Sequence, residues 1–107
     1  MIEVRLRVRF PSPGAWPWED VYADFSVLPR KGDAVFAGSP IEEAQEMFVV
    51  ADNPDFWVGM SPDVSLDLDR DRRAVSQDEA MEELSDFLER IRTGAIVGWR
   101  MRSRGAE

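Results

Sequence analysis

The sequence predicts an α+β fold: a small, strongly bent antiparallel sheet or barrel of about five to seven short strands, with one amphipathic helix at about residues 77–93. Several short segments alternate apolar and polar residues with the period of two that a half-buried strand shows. One later segment places its apolar residues on a single helical stripe. The 107 residues are expected to form a single domain, 1–107, that buries roughly two-thirds of the surface its unfolded chain exposes.

The first strand is predicted at residues 2–10, where five apolar residues alternate with Glu3 and three arginines. Residues 11–20, "PSPGAWPWED", predict a loop, because three prolines and a glycine oppose regular structure. Alternation resumes at residues 21–28 and predicts the second strand.

Residues 28–36, "LPRKGDAVF", predict a strand, a tight turn and a further strand, since proline sets φ at the turn entry and glycine supplies a positive φ. The Leu-Pro-x-x-Gly-Asp-x-Val element at residues 28–35 resembles one found in many small bacterial SH3-like β-barrel proteins. The resemblance covers this short element alone. It implies an SH3-like barrel as the form of the bent sheet, and it implies no activity.

The rest of the sheet is predicted from short apolar runs between turn-forming residues. Ser39 and Pro40 favour a short helical turn at residues 41–46. Strands are predicted at residues 47–51, 56–60, 64–68 and 97–102. Residues 103–107 form a polar segment that is a candidate disordered tail.

The helix has clear start and stop signals. Ser76 and Glu79 form a capping-box pattern, acidic residues occupy the first turns, Arg90 and Arg92 occupy the last turn, and Gly94 is placed to end it. The predicted core stripe consists of six residues: Ala80, Met81, Leu84, Phe87, Leu88 and Ile91.

Composition excludes much of the enzyme repertoire. The chain has no cysteine and no histidine, which removes disulfides, thiolate chemistry, imidazole catalysis and ordinary zinc or haem sites. No glycine-rich phosphate loop or serine nucleophile motif is present. We therefore expect no catalytic residues and no cofactor. The alternating N-terminus lacks the apolar run of a secretory signal or membrane span, so a cytoplasmic location is expected.

Charge is unevenly distributed along the chain, whose net charge is −8. Residues 1–9 and 90–107 carry eight arginines against two glutamates, whereas residues 10–89 carry 5 basic and 19 acidic side chains. This balance disfavours nucleic acid and anionic membranes as partners. A basic protein is the expected partner.

One segment, "LDLDRDRRAVSQDE" at residues 66–79, could be aligned with a calcium loop beginning at Asp67. The alignment fails, because Arg72 stands where the loop needs glycine and a predicted strand, rather than a helix, enters the segment. We therefore expect the end of a strand and the start of a helix, and no metal site.

Two groups of residues are the first candidates for binding a partner. Trp16 and Trp18 lie in the proline-rich loop, and tryptophan is enriched in interface hot spots. The alternative is that both cover one end of a barrel, whereas Trp57 and Trp99 are predicted core residues. The second group is the acidic face of the helix. The alternative is that this face is charged only because it is exposed to solvent. Its residues are Asp78, Glu79, Glu82, Glu83 and Asp86, with Glu89 beyond them.

The arginines of the two end strands are a second candidate site, for an anion. They are Arg5, Arg7, Arg9, Arg100 and Arg102. Like charges on directly paired strands would cost stability, so we expect the end strands to be separated. Cross-strand ion pairing with the strand of Asp67 and Asp69 is the favoured alternative to anion binding.

The function predicted from these features is that of a small acidic, non-enzymatic protein-interaction module, such as an accessory, immunity or inhibitor protein that binds a basic partner. One alternative is a small-ligand or nucleic-acid-binding barrel that uses the arginine strands. Another is a structural protein that self-associates through an exposed sheet edge.

Overall fold

The computed structural model describes residues 1–12, 14, 16–38, 46–69, 76–93 and 98–102, the last three at the level of the backbone. Within these ranges the chain forms one six-stranded sheet and one helix. The elements are β1 (Ile2–Arg9), β2 (Trp18–Phe25), β3 (Ala34–Ala37), β4 (Glu46–Val50), β5 (Asp63–Leu68), α1 (Gln77–Arg92) and β6 (Trp99–Arg102). The predicted α+β class, with a bent sheet and one helix near the C-terminus, is confirmed.

The strand order is β2-β1-β5-β4-β3-β6. All neighbouring strands are antiparallel except β1 and β5, which run parallel. The prediction of an antiparallel sheet is therefore wrong for the β1–β5 pair, and the sheet is mixed. Apolar alternation specifies which face of a strand is buried but says nothing of its neighbour's direction.

The sheet curls into a half-barrel, whose edge strands β2 and β6 approach each other. Its concave face packs against α1 through an aromatic cluster. The rings of Phe48 and Phe87 lie 5.4 Å apart between centroids, and Phe10 and Trp99 contact both. Trp99 is thus packed against the core as predicted. Nothing here tests the resemblance to SH3-like barrels, which stays a prediction.

Helix α1 begins where its capping residue predicts. The Ser76 hydroxyl accepts a hydrogen bond from the Glu79 backbone N–H at 3.2 Å. The helix ends at Arg92, and Gly94 lies outside the described residues. Met81 is 52 % exposed, so its assignment to the core stripe is wrong. At about 100° per residue it lies at the edge of the stripe centred on Ala80 and Leu84.

Two predicted boundaries and one predicted strand are wrong. Strand β2 begins at Trp18 inside the predicted loop, because the last proline is Pro17 and the following residues pair with β1. Residues 26–28 lie outside it. Residues 56–60 form a turn rather than a strand. The predicted helical turn at 41–46 lies outside the described residues except for its last residue, which begins β4.

The turn predicted within residues 28–36 is present. Gly32 has φ of +92°, which favours glycine. The Arg30 N–H donates to Asp33 Oδ2 at 2.9 Å, and the Asp33 N–H donates to the Arg30 carbonyl at 3.0 Å. The strand predicted before this turn is absent, because residues 26–30 are irregular.

Candidate functional site

The outer face of the half-barrel carries three arginine–aspartate pairs, which we call the charged ladder: Arg5–Asp63, Arg7–Asp20 and Arg9–Asp67. The parallel register places Asp63 beside Arg5 and Asp67 beside Arg9, whereas the antiparallel register places Asp20 beside Arg7. The closest nitrogen–oxygen distances are 2.6, 3.3 and 2.6 Å in that order. The predicted cross-strand ion pairing, with Asp67 as a counter-charge, is therefore present.

The first rung of the ladder is bidentate. Arg5 donates from Nε and from one terminal nitrogen to the two oxygens of Asp63, at 2.7 and 2.6 Å. This hydrogen bonding holds the pKa of Asp63 below its ordinary value and raises the pKa of Arg5, although partial burial opposes both shifts. Both groups are therefore charged at neutral pH.

Whether the arginines bind an anion stays a prediction, but the structure shows what such an anion would meet. Each ladder arginine already contacts an aspartate carboxylate. Arg100 and Arg102 lie on β6, and three strands separate β6 from β1 in the sheet. The two groups of arginines therefore lie on strands that do not pair, as expected.

A cavity of about 320 Å³ lies over the ladder. Loop residues Asp52 and Asp55 form part of its wall, together with Asn53. Small-molecule sites are usually lined by apolar side chains with a few polar groups. This lining is polar and charged throughout, so it suits ionic contacts with a partner better than an apolar ligand.

Beside this cavity, residues 56–60 form a turn that we call the apolar turn. The Met60 N–H donates to the Trp57 carbonyl at 3.0 Å, and Gly59 has φ of +74°. Phe56, Trp57, Val58 and Met60 are 71, 58, 105 and 60 % exposed. The prediction that Trp57 belongs to the core is therefore wrong. Prolines 54 and 62, on either side of residues 56–60, are the feature of the sequence that indicates a turn here.

Aromatic side chains border the charged ladder. The register of β1 with β2 places Tyr22 beside Arg5, and Trp57 lies near Asp63. The Arg7 guanidinium lies over the Trp18 ring, 4.1 Å from its centroid, which is a cation–π contact. Trp18 therefore lies on the outer face of β2, not over a barrel end.

A second surface lies between α1 and β4, and we call it the acidic groove. It is a cleft of about 510 Å³. Its lining consists of one buried aromatic residue, four carboxylates and one guanidinium: Phe10, Glu46, Glu83, Asp86, Glu89 and Arg90. Arg90 lies 3.4 Å from Glu46 between the nearest nitrogen and oxygen atoms. The groove therefore combines an apolar floor with an excess of negative charge.

The structure separates the predicted acidic residues of the helix into two groups. Glu83 and Asp86 line the groove. Asp78 and Glu82 lie on the side of the helix opposite the core stripe, and Glu79 is exposed near the N-cap. That any of them binds a partner stays a prediction.

Two groove residues, Phe10 and Glu46, were not singled out from the sequence. In the sequence, Phe10 is only the last apolar residue of the predicted first strand, and Glu46 is the last residue of the predicted helical turn. The loop that carries Trp16 ends beside Phe10, because the Phe10 N–H donates to the Pro17 carbonyl at 3.0 Å. Trp16 is 43 % exposed, so its role as a partner anchor stays a prediction.

In comparisons with protein families, with curated proteins and with solved structures, nothing matched the chain. Across the described residues, no helix is long and apolar enough to cross a membrane. The same ranges contain no group of three or more acidic side chains arranged to hold a metal ion.

Proposed function

We propose that the protein is a small acidic, non-enzymatic interaction module, acting in the cytoplasm as an accessory, immunity or inhibitor protein, and that it binds a basic segment of another protein in the acidic groove. One observation carries the proposal. Four carboxylates and the guanidinium of Arg90 line an open cleft whose floor includes the buried Phe10.

The lining of the groove matches the chemistry of a lysine or arginine side chain. Such a side chain has an apolar stem and a charged end. The stem would contact Phe10, and the charge would lie among carboxylates such as Glu46 and Asp86. The net charge of −8 would also attract a basic partner over long range and raise its association rate.

The alternative of an anion-binding barrel has less support, because the ladder arginines already contact aspartates. An anion would have to displace or share those contacts, at an electrostatic cost. In the acidic groove, Glu46 pairs with Arg90 and Glu89 pairs with Arg92. Asp86 forms no ion pair with another described residue, so a basic side chain can contact this carboxylate without displacing an arginine.

The test is a titration with a short peptide that carries four lysines and two leucines, followed by amide chemical shifts and calorimetry. The groove variant is Glu83→Gln with Asp86→Asn, and the control is Asp78→Asn with Glu82→Gln on the opposite side of the helix. Both remove two negative charges, so the net charge of the chain changes equally. We expect the groove variant to weaken binding by about five- to tenfold and the control by less than about twofold.

The largest changes in amide chemical shift should occur at Phe10, Glu46 and Asp86. Equal weakening in both variants would show that only the overall charge attracts the peptide. Absence of binding to the unaltered protein would overturn the proposal. Thermal melts of each variant establish that it is folded under the titration conditions.

A further inference from the structure

The apolar turn leaves four large apolar side chains in solvent within five consecutive residues. Single exposed apolar residues are ordinary on protein surfaces, but contiguous groups of them mark sites of interaction. Val58, at the tip of the turn, is fully exposed, and Trp57 keeps more than half of its surface in water. This part of the molecule therefore has apolar surface that a partner could bury.

The turn is held in place at its base. Asp55 and Asp63 exchange two backbone hydrogen bonds, at 3.0 and 2.9 Å. The Arg5 N–H donates to the Pro62 carbonyl at 2.9 Å, and the Ser61 hydroxyl donates to Glu3 at 3.1 Å. A surface ordered before binding loses less conformational entropy when a partner binds. The exposed side chains are thus presented on a clamped loop.

The charge around the turn indicates the chemistry of the partner. Asp52 and Asp55 line the adjoining cavity, and neither forms an ion pair with another described residue. The ladder aspartates, by contrast, are neutralised by arginines. Two carboxylates without an ion pair among the described residues therefore border the turn, and basic residues of a partner would complement them. Two copies of this surface would repel each other, and an anionic bilayer would also be repelled.

We infer that the apolar turn is a second docking surface, distinct from the acidic groove, and that it binds a protein segment whose apolar side chains are flanked by lysine or arginine. Trp57 is its central contact, because it is the largest side chain of the turn and 58 % of it is exposed. Val58 and Met60 enter the apolar part of the partner, while Asp52 and Asp55 meet its basic residues.

The experiment uses the full chain labelled with 5-fluorotryptophan, so that each of the four tryptophans gives its own fluorine signal, assigned through single Trp→Phe variants. The probe is an 18-residue amphipathic peptide of leucine and lysine. Matched peptides replace the leucines by serine, or the lysines by glutamate. We expect the Trp57 signal to move with the leucine–lysine peptide while the Trp99 signal does not, and both matched peptides to bind at least about tenfold more weakly.

The turn variant is Val58→Ser with Met60→Ser, which keeps Trp57 as the reporter and removes only exposed side chains. It should weaken binding of the leucine–lysine peptide by about tenfold. The groove variant Glu83→Gln with Asp86→Asn should weaken binding of the same peptide by less than about threefold. Unchanged binding by the turn variant overturns the inference. If only the groove variant loses binding, the peptide occupies the groove, and the proposed function survives without this second surface.

Two further measurements exclude other occupants. Phosphatidylcholine vesicles that move the Trp57 signal when the peptide does not would identify a lipid surface and overturn the inference. Sedimentation that shows a dimer lost in the turn variant would identify a second copy of the chain and would also overturn it. Unchanged spectra with vesicles and a monomer at all concentrations would support a basic protein partner.

Discussion

The two faces of strand β1 differ in what they contribute. On the inner face, Val4, Leu6 and Val8 are fully buried in the core. On the outer face, Arg5, Arg7 and Arg9 are partly exposed, and each contacts an aspartate of a neighbouring strand. A slip of two residues between β1 and β5 would keep the apolar side chains inside but would place Arg5 beside Ser65. The inner face therefore supplies stability, and the outer face specifies register.

The largest effect is expected on the inner face. Leu6→Ala removes a buried side chain from a strand with neighbours on both sides, and it should cost about 3 kcal/mol of the free energy of unfolding. Urea denaturation followed by tryptophan fluorescence measures the loss. If the free energy of unfolding fell by less than about 1 kcal/mol, neighbouring side chains would have filled the space that Leu6 leaves. The inner face of β1 would then not be the main source of stability.

A smaller effect is expected for the first rung of the ladder. Asp63→Asn keeps the size of the side chain and removes the charge that Arg5 contacts, so we expect a loss of about 1–2 kcal/mol. Ser65→Ala, on the same face between two rungs, is the control and should change stability by less than about 0.5 kcal/mol. If Asp63→Asn destabilised the protein as much as Leu6→Ala, the outer face would contribute to stability as strongly as the core.

The same rung should make stability depend on pH. The pKa of Asp63 lies below its ordinary value of 3.8 in the folded state, so the unfolded chain binds the proton more readily. The stabilisation is therefore complete above about pH 4 and is lost as the pH falls through the folded value. Urea midpoints at pH 7, 4 and 3 should show the difference between the unaltered protein and Asp63→Asn shrinking. A constant difference would contradict this account.

The smallest effect is expected for an ion pair outside the ladder. Arg92 and Glu89 contact each other on α1 with side chains 71 and 57 % exposed. Solvent screens such a pair, so Arg92→Ala should leave the urea midpoint unchanged within error. A fall in the midpoint as large as that of Asp63→Asn would show that the exposed pair stabilises the protein as much as the first rung of the ladder.

The elements that the sequence predicts well are those in which a single pattern specifies the structure. Residues 2–10 alternate without interruption, and β1 follows them closely. Helix α1 has a capping serine, a core stripe and opposite charges at its two ends, and it spans Gln77–Arg92. In each case the residues that define the pattern are neighbours along the chain.

The mispredicted features are those that a single local pattern does not specify. The alternation in residues 64–68 identifies β5 as a strand, but nothing local indicates that it runs parallel to β1. Residues 56–60 predict a short strand, which would place Trp57 in the core, whereas prolines 54 and 62 confine these residues to a turn. The acidic groove unites Phe10, Glu46 and Asp86 from three separate elements, so no local motif could reveal it.

The parallel pairing of β1 with β5 has a consequence for the order of events during synthesis. Arg5 and Asp63 are 58 residues apart, so at ordinary translation rates β1 is made about 3 to 12 seconds before its central partner. Until then the β1 strand of a β1–β2 hairpin has an unpaired edge, at which a nascent chain can aggregate. Arg5, Arg7 and Arg9 lie along that strand, and charged side chains oppose pairing with foreign strands. The arginines that later fix the register thus first protect the growing chain.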